Sequence, residues 1–193
     1  MARTKDFDEN EVLKKAVELF WLKGYNGTSM QDLVEGLGIS RSSLYDTYGD
    51  KHALFVKALE NYRCSASAKV NEIMGSSTSS KVAIRNMLEF IIAQLLHDQN
   101  NKGCFLINSE VEVAAHDQTV SSMICESDQQ IEEAFFEVIK RGQESGEIAS
   151  KQDPRAMARF TFNTVKGIRV TGKTSNDRAI FDDIIRMSMS VFD

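Results

Sequence analysis

The sequence predicts an all-α fold, a small three-helix N-terminal region followed by a larger helical domain. Three observations carry this expectation. The 193-residue chain contains one proline, Pro154, and proline fits few interior helical positions. Apolar residues recur at three- and four-residue spacing through most of the chain. Glycine, serine, threonine and aspartate stand where helix ends require them. An apolar share of 42% supplies an ordinary core and excludes a disordered chain.

The first segment, residues 10–23, spaces Val12, Leu13, Ala16, Leu19 and Phe20 helically and ends at Lys23-Gly24, a cationic last turn before a glycine cap. Thr28-Ser29-Met30-Gln31 has the form of a capping box, with Thr28 as N-cap and Gln31 three residues on. Met30, Leu33, Val34 and Leu37 then form one face of a short second helix. Gly38 suits a tight turn because it takes positive φ without a Cβ clash. Ser40 caps a third helix through Leu44, Tyr45 and Tyr48, and Gly49-Asp50-Lys51 starts a fourth carrying Leu54, Phe55, Ala58, Leu59 and Tyr62. Two short helices joined by a glycine turn, behind a stabilising first helix, are the plan of a helix-turn-helix. The same spacing also fits any helical hairpin.

The polar run Gly75-Ser76-Ser77-Thr78-Ser79-Ser80 marks the clearest break in the chain. Beyond it Val82, Ile84, Met87, Leu88, Ile91, Ile92 and Leu95 make a broad apolar face. Further helices are expected over residues 105–114 and 117–143, the second ended by Gly146. Asp153-Pro154 opens another, aspartate as N-cap and proline in the first turn. The last starts near Asn176 and is expected to bury Ile180, Ile184, Ile185, Met187, Met189 and Phe192. Only residues 160–165 alternate as a strand would, and no internal repeat is found.

No apolar run approaches the roughly 18 residues of a membrane span, and the N-terminus lacks the apolar stretch of a signal peptide. A cytoplasmic protein is the expectation. Cys64, Cys104 and Cys125 lie far apart and read as free thiols. His52, His97 and His116 do not combine with them at metal-ligand spacing, so no metal site is expected. The net charge is -5, and the first 51 residues hold seven basic and nine acidic side chains. Nucleic-acid binding there would rest on a few positioned contacts, because bulk charge cannot supply it.

Residues 16–55 resemble the TetR family of one-component regulators. The likeness lies in Leu19-Phe20, Lys23-Gly24-Tyr25, Thr28-Ser29, Leu37-Gly38-Ile39-Ser40, Leu44-Tyr45, Tyr48, Lys51 and Leu54-Phe55, in order and within forty positions. Lys102-Gly103-Cys104-Phe105 and Gly167-Ile168-Arg169-Val170 are similar to one subgroup of that family. The resemblance implies a helical homodimer, with a helix-turn-helix DNA-binding domain at residues 1–52 and a ligand-binding and dimerisation domain at 53–193. It implies a transcriptional regulator, commonly a repressor, released from a palindromic operator by a small-molecule effector. It implies neither an enzyme nor a cofactor.

The residues can be set against the chemistry. Arg41, Ser42 and Ser43 begin the recognition helix, where side chains reach base edges, and arginine can pair bidentately with guanine. Thr28 and Ser29 stand at the start of the second helix, where unpaired amides and the helix dipole favour a phosphate. Tyr45, Tyr48 and Lys51 match family positions that touch the backbone of DNA, core packing being the rival role for both tyrosines. Asp46 departs from the pattern, since a carboxylate repels phosphate but can accept from cytosine N4. Thr47 replaces a frequent histidine or tyrosine and removes one phosphate contact.

In the larger domain, Phe90, Ile91, Cys104, Phe105, Asn108, Met123 and Phe162 are candidates for the effector pocket, each with an ordinary core role as its rival. Phe160, Val165, Val170, Ile184, Met187 and Val191 are apolar beyond what one helix face needs, which points to a partner subunit. Cys104 follows Gly103 at an expected helix N-terminus beside Lys102, surroundings that favour thiolate, so its modification is a second release signal to consider. Cys64 and Cys125 are expected to be packing residues.

Two rival classes are weighed, the second being rejected on its context. One is a helical interaction protein that does not bind DNA. The other is a nucleotide-binding protein, because Gly167–Thr174 satisfies the P-loop pattern G-x4-G-K-S/T. A P-loop needs a parallel sheet, and no further strands are expected. β-branched Ile168 and Val170 are also poor residues for a loop that must expose its amides.

Overall fold

The structure, a computed structural model, describes residues 7–193. The first six positions of the expected 1–52 domain lie outside the described residues. Nine α-helices occur among those described: α1 (Glu9–Lys23), α2 (Met30–Leu37), α3 (Arg41–Tyr48), α4 (Lys51–Gly75), α5 (Ser80–His97), α6 (Phe105–Glu112), α7 (Gln118–Glu144), α8 (Pro154–Thr171) and α9 (Arg178–Met189). A single 3-10 turn, Ser190–Phe192, follows α9. No helix among the described residues is long and apolar enough to cross a membrane.

The chain packs as two compact units. The first takes the chain up to Ser65 and adds Cys104–Ile124; the second holds Ala66–Gly103 and Cys125–Asp193. In the first unit, α1 lies against α2, and Val12, Ala16, Phe20, Leu33, Leu37 and Leu44 enter one core with Leu54, Phe55 and Leu59 of α4. Phe105, Val120 and Ile124 complete it from the later segment. Phe55 is at its centre, edge-on to Phe20 at 5.2 Å and to Phe105 at 5.8 Å, with Tyr25 tilted against it at 4.7 Å.

In the second unit α5 packs on α8 and α9. Ile84, Leu88, Ile91 and Ile92 of α5 meet Phe135 and Ile139 of α7, Ala158 and Ile168 of α8, and Phe181 of α9. The Glu147 carboxylate caps the start of α5, accepting from the amides of Ser80 at 2.7 Å and Lys81 at 2.9 Å. Four donors at a helix start have no intrahelical partner, and an acidic group there meets both hydrogen bonding and the dipole.

Several expectations are corrected at this level. The alternating segment 160–165 is helical throughout, inside α8. Its neighbours on each side carry the helical period, and alternation over six residues cannot override a continuous buried stripe of Met157, Thr161, Val165 and Ile168. Of the α9 residues expected to be buried on one side or another, Ile180 and Met187 do not enter this chain's own core, because Phe181, Ile185, Ser188 and Met189 form its inward face.

Phe55→Ala would leave a void between three aromatic rings of the first unit. It is expected to cost about 3–5 kcal/mol, read as a lowered midpoint in urea denaturation followed by circular dichroism.

Candidate nucleic-acid interface

The turn between α2 and α3 rests on Gly38, which caps α2 in the left-handed conformation, φ 70° and ψ 29°. A β-branched or bulky residue is strained there. Ile39 follows it into the core, and with Leu37 and Leu44 wedges the two short helices together. Ser40 then caps α3, its Oγ accepting from the amide of Ser43 at 3.1 Å.

This arrangement presents the first turn of α3 outward. Arg41 and Ser42 are exposed and Ser43 is half-buried. Tyr45, one turn on, is exposed and lies beneath Arg41, whose guanidinium is 5.8 Å from the ring centroid. Asp46 is exposed on the same helix. Tyr48 has a different place: it is buried, and its hydroxyl donates to the Glu9 carbonyl at 3.3 Å. Burial pushes its phenol pKa up. Of the two tyrosines, then, Tyr45 has a side chain open to a partner, while Tyr48 is committed to the core. The Lys51 ammonium stands 4.4 Å over the Tyr25 ring, and the burial this brings lowers its pKa.

The start of α2 corrects the expected capping box by one residue. Ser29, not Thr28, is the N-cap, and Asp32, not Gln31, closes the box: Ser29 Oγ accepts from the Asp32 amide at 3.0 Å, and Asp32 Oδ2 accepts from the Ser29 amide at 2.7 Å. Thr28 cannot cap because its side chain turns inward. It is fully buried, and its hydroxyl donates to the Gly24 carbonyl at 2.6 Å. Gln31 instead donates its amide to Glu35. Lys23 also donates to Asp32, at 2.6 Å, and these bonds from Lys23 and Ser29 hold the Asp32 carboxyl well below the usual carboxylate range.

The candidate effector residues divide between the two cores. Ile91 is buried in the second unit, with Phe90 and Phe162 half-buried against the same core. Cys104 and Phe105 are buried in the first, with Met123 packed against them and Asn108 half-buried. Two open grooves in the second unit, of about 650 Å³ and 340 Å³, are lined by other residues: Arg85, Glu89 and Asp182 in the larger, Asn71, Gln130 and Glu137 in the smaller. Cys104 is the N-cap of α6, and the Tyr62 hydroxyl donates to its Sγ at 3.7 Å. Cys64 and Cys125, expected to pack, are exposed. Neither lies on the inward stripe of its helix, a placement their wide spacing in sequence could not reveal.

Of the candidate dimer residues, Phe160 and Val170 on α8 and Met187 on α9 are exposed, at 48%, 53% and 59%. Ile184 and Val191 are half-buried, and Val165 belongs to the core. The P-loop pattern is not a loop. Gly167 lies inside α8, and the amides of Gly172, Lys173 and Thr174 are spent on the carbonyls of Ile168, Val170 and Thr171 at 2.9–3.1 Å. A cradle for phosphates needs those amides free.

Comparison with known proteins gives the arrangement a family. Residues 12–58 match the model of bacterial regulatory proteins of the tetR family, and residues 81–188 match the tetracyclin repressor-like C-terminal domain. The HTH-type transcriptional regulator YezE of Bacillus subtilis strain 168 is 36% identical over 194 residues, covering 100% of both chains. The chain belongs to the TetR family. It is a DNA-binding transcriptional regulator rather than an enzyme, which also displaces the reading as an interaction protein without DNA. The HTH-type transcriptional repressor ComR of Escherichia coli K12 is 26% identical over 172 residues, 89% of this chain and 82% of ComR. Among solved structures, a cysteine mutant of the TetR-family regulator CifR bound to a 26-base-pair operator superposes with a TM-score of 0.88 at 22% identity, covering 100% of both chains. Reduced E. coli NemR gives 0.86 at 14%, covering 95% and 96%. At these identities the likeness concerns the fold.

Sequence reasoning missed Glu112 and the pair His52–Asp117. The imidazole of His52 at the start of α4 meets the Asp117 carboxylate at 2.5 Å, just ahead of α7. Glu112 bonds to the turn before α2. No local pattern could signal either, because the partners are separated by 65 and 86–87 residues.

The lowered pKa of Asp32 fixes the sign of an acid effect. Its charged form supports α2 at pH above the unfolded value, and that support is lost only as pH falls through the lower folded value. A carbon-13 NMR titration of the Asp32 carboxyl should give a midpoint below the ordinary aspartate value of 3.8, whereas Ser29→Ala should move it upward.

Proposed function

We propose that this regulator is a repressor that grips a palindromic operator as a homodimer, residues 1–52 meeting DNA and residues 53–193 holding the dimer contacts and the release signal. The exposed first turn of α3 carries the reading. Arg41 stands exposed at the start of a helix that Leu44 and Tyr48 lock into the core, so a base-reading side chain stands on a rigid element. Arg41 reads guanine, with Ser42, Ser43 and Tyr45 as neighbouring contacts. Ser29 and Lys51 take phosphates. Thr28 contributes through its backbone and the turn it closes, since its hydroxyl is already bonded to Gly24. A two-fold dimer engages half-sites about 34–36 Å apart or a multiple of that. Exposed Phe160, Val170 and Met187 support pairing through α8 and α9, with Ile184 and Val191 beside them. A cytoplasmic location follows from the same reading.

The net charge of -5 makes the salt dependence informative. In a fluorescence-anisotropy titration with a duplex selected from random sequence by the wild-type protein, affinity should fall as salt rises. Arg41→Ala should cost about 1–3 kcal/mol and relax preference at one base position, while Lys51→Ala should weaken all duplexes alike and lower the salt slope by about one. Equal binding by wild type and both variants would place the interface elsewhere.

Release comes from a small molecule among the apolar residues of the C-terminal region or from modification of Cys104. The second route is favoured by one observation. Cys104 Sγ is buried against the Tyr62 hydroxyl, and Tyr62 stacks edge-on with Trp21 at 5.0 Å and with Phe105 at 5.7 Å. Atoms added to that sulfur displace an aromatic cluster that also holds Phe55 and Tyr25. Treatment with a small alkylating electrophile should shift Trp21 fluorescence and weaken the selected duplex in the wild type but not in Cys104→Ser. A Cys104→Ser variant that responds as the wild type does would exclude this route.

A further inference from the structure

The turn from α1 to α2 is tied from outside the helix-turn-helix. Residues 24–28 close partly on themselves, through the Thr28 hydroxyl on the Gly24 carbonyl and the Thr28 amide on the Tyr25 carbonyl at 3.4 Å. The next two donors, the amides of Tyr25 and Asn26, both go to Glu112 at the end of α6. Glu112 Oε2 accepts from Tyr25 at 3.0 Å and Oε1 from Asn26 at 2.8 Å, one oxygen for each amide. Two charge-assisted bonds on successive amides fix a backbone more firmly than one, since both position and direction are set.

The approach depends on Gly24. A Cβ at that position would stand 2.7 Å from Glu112 Oε2, and Gly24 has φ 77°. Two residues separate Asn26 from the Ser29 cap of α2, and one of them, Thr28, is fully buried. On the other side, the Tyr25 ring is the surface on which the Lys51 ammonium lies, and the Glu112 charge acts on that ammonium favourably. One carboxylate therefore touches the frame of both groups assigned to phosphate.

We propose that Glu112 is a positioning residue for DNA binding: by gripping the Tyr25 and Asn26 amides it holds the N-terminus of α2 and the Lys51 ammonium where DNA phosphates meet them. This rests on the DNA-binding reading above. Operator affinity thereby depends on α6, which contributes no DNA contact of its own in that reading.

The sign of one substitution separates this role from plain electrostatics. Glu112→Gln removes a negative charge, which by itself raises affinity for any polyanion. It also leaves one acceptor where two amides need two, and turns an amide nitrogen toward a donor. Positioning therefore predicts weaker operator binding despite the gained charge. Anisotropy titrations would compare wild type, Glu112→Gln and the distant control Glu144→Gln on the selected duplex and on an unrelated one. The expected result is an operator affinity lowered about tenfold or more, the fold-change that one lost charge-assisted hydrogen bond corresponds to. Affinity for the unrelated duplex should fall as well, because phosphate contacts are shared by every duplex, and Glu144→Gln should match the wild type.

Operator binding by folded Glu112→Gln at or above the wild-type level would overturn the proposal. Should Glu112→Gln fail to fold, Glu112→Asp keeps the charge and withdraws the carboxylate by one methylene, with the same loss of operator affinity expected. Hydrogen exchange supplies a readout independent of DNA: the Tyr25 and Asn26 amides should be protected in the wild type and exchange faster in either variant. Unprotected amides in the wild type would also overturn it. A wild-type protein that binds neither duplex refutes the underlying reading, and the positioning role with it.

Discussion

Helices of eight residues do not hold themselves. Isolated helices shorter than about 12–15 residues are marginal in water, and both α2 and α3 have eight. What fixes them is burial of Leu33, Leu37 and Leu44 against a core whose centre is Phe55, with Phe20, Tyr25 and Phe105 around it. Phe20 comes from α1, Phe55 from α4 and Phe105 from α6, so the packing joins three distant stretches of chain at one point. Aromatic rings bury large areas, and edge-on contacts at these separations add to that burial. The outward presentation of Arg41 and Ser42 follows from this packing rather than from any preference of α3 itself.

The same core explains how an acidic protein can offer a surface to an acidic partner. Its field as a whole does not attract DNA, so affinity must come from a few cations and dipoles held in place. The structure keeps the nearby carboxylates occupied. Asp32 is taken up by Ser29 and Lys23, Glu112 by two backbone amides, and Asp117 by His52 and the amide of Val120. Asp46 is the exposed exception on α3, where a base amino group is the acceptable partner. Carboxylates committed to donors of their own chain stabilise the turns around α2 and α4 and add little free charge beside them.

Much of this was legible in the sequence because it depends on neighbours in the chain. Helical spacing located α1, α2, α3 and α4, and Gly38 and Ser40 marked the turn. The limits of local reading are equally physical. Thr28-x-x-Gln31 and Ser29-x-x-Asp32 are both acceptable capping boxes, and the choice fell to Ser29 because the interior took the Thr28 side chain. Tyr45 and Tyr48 are alike in sequence and share one side of α3, and only the packing around them leaves the first exposed and buries the second. Cys64 and Cys125 looked like small core residues and lie exposed, and the strand-like alternation of residues 160–165 yielded to the buried stripe of α8.

The sequence by itself determined the helical class, the helix-turn-helix and the family, since each rests on periodicity, caps and short motifs that act within a few residues. The tertiary structure decided which of those residues face outward, which amides are already bonded, and that the turn before α2 is tied by Glu112 from 86–87 residues away. Such a bond leaves no periodic trace. A backbone amide shows no side chain to recognise, and one glutamate among many in a helix looks the same until folding brings the two together.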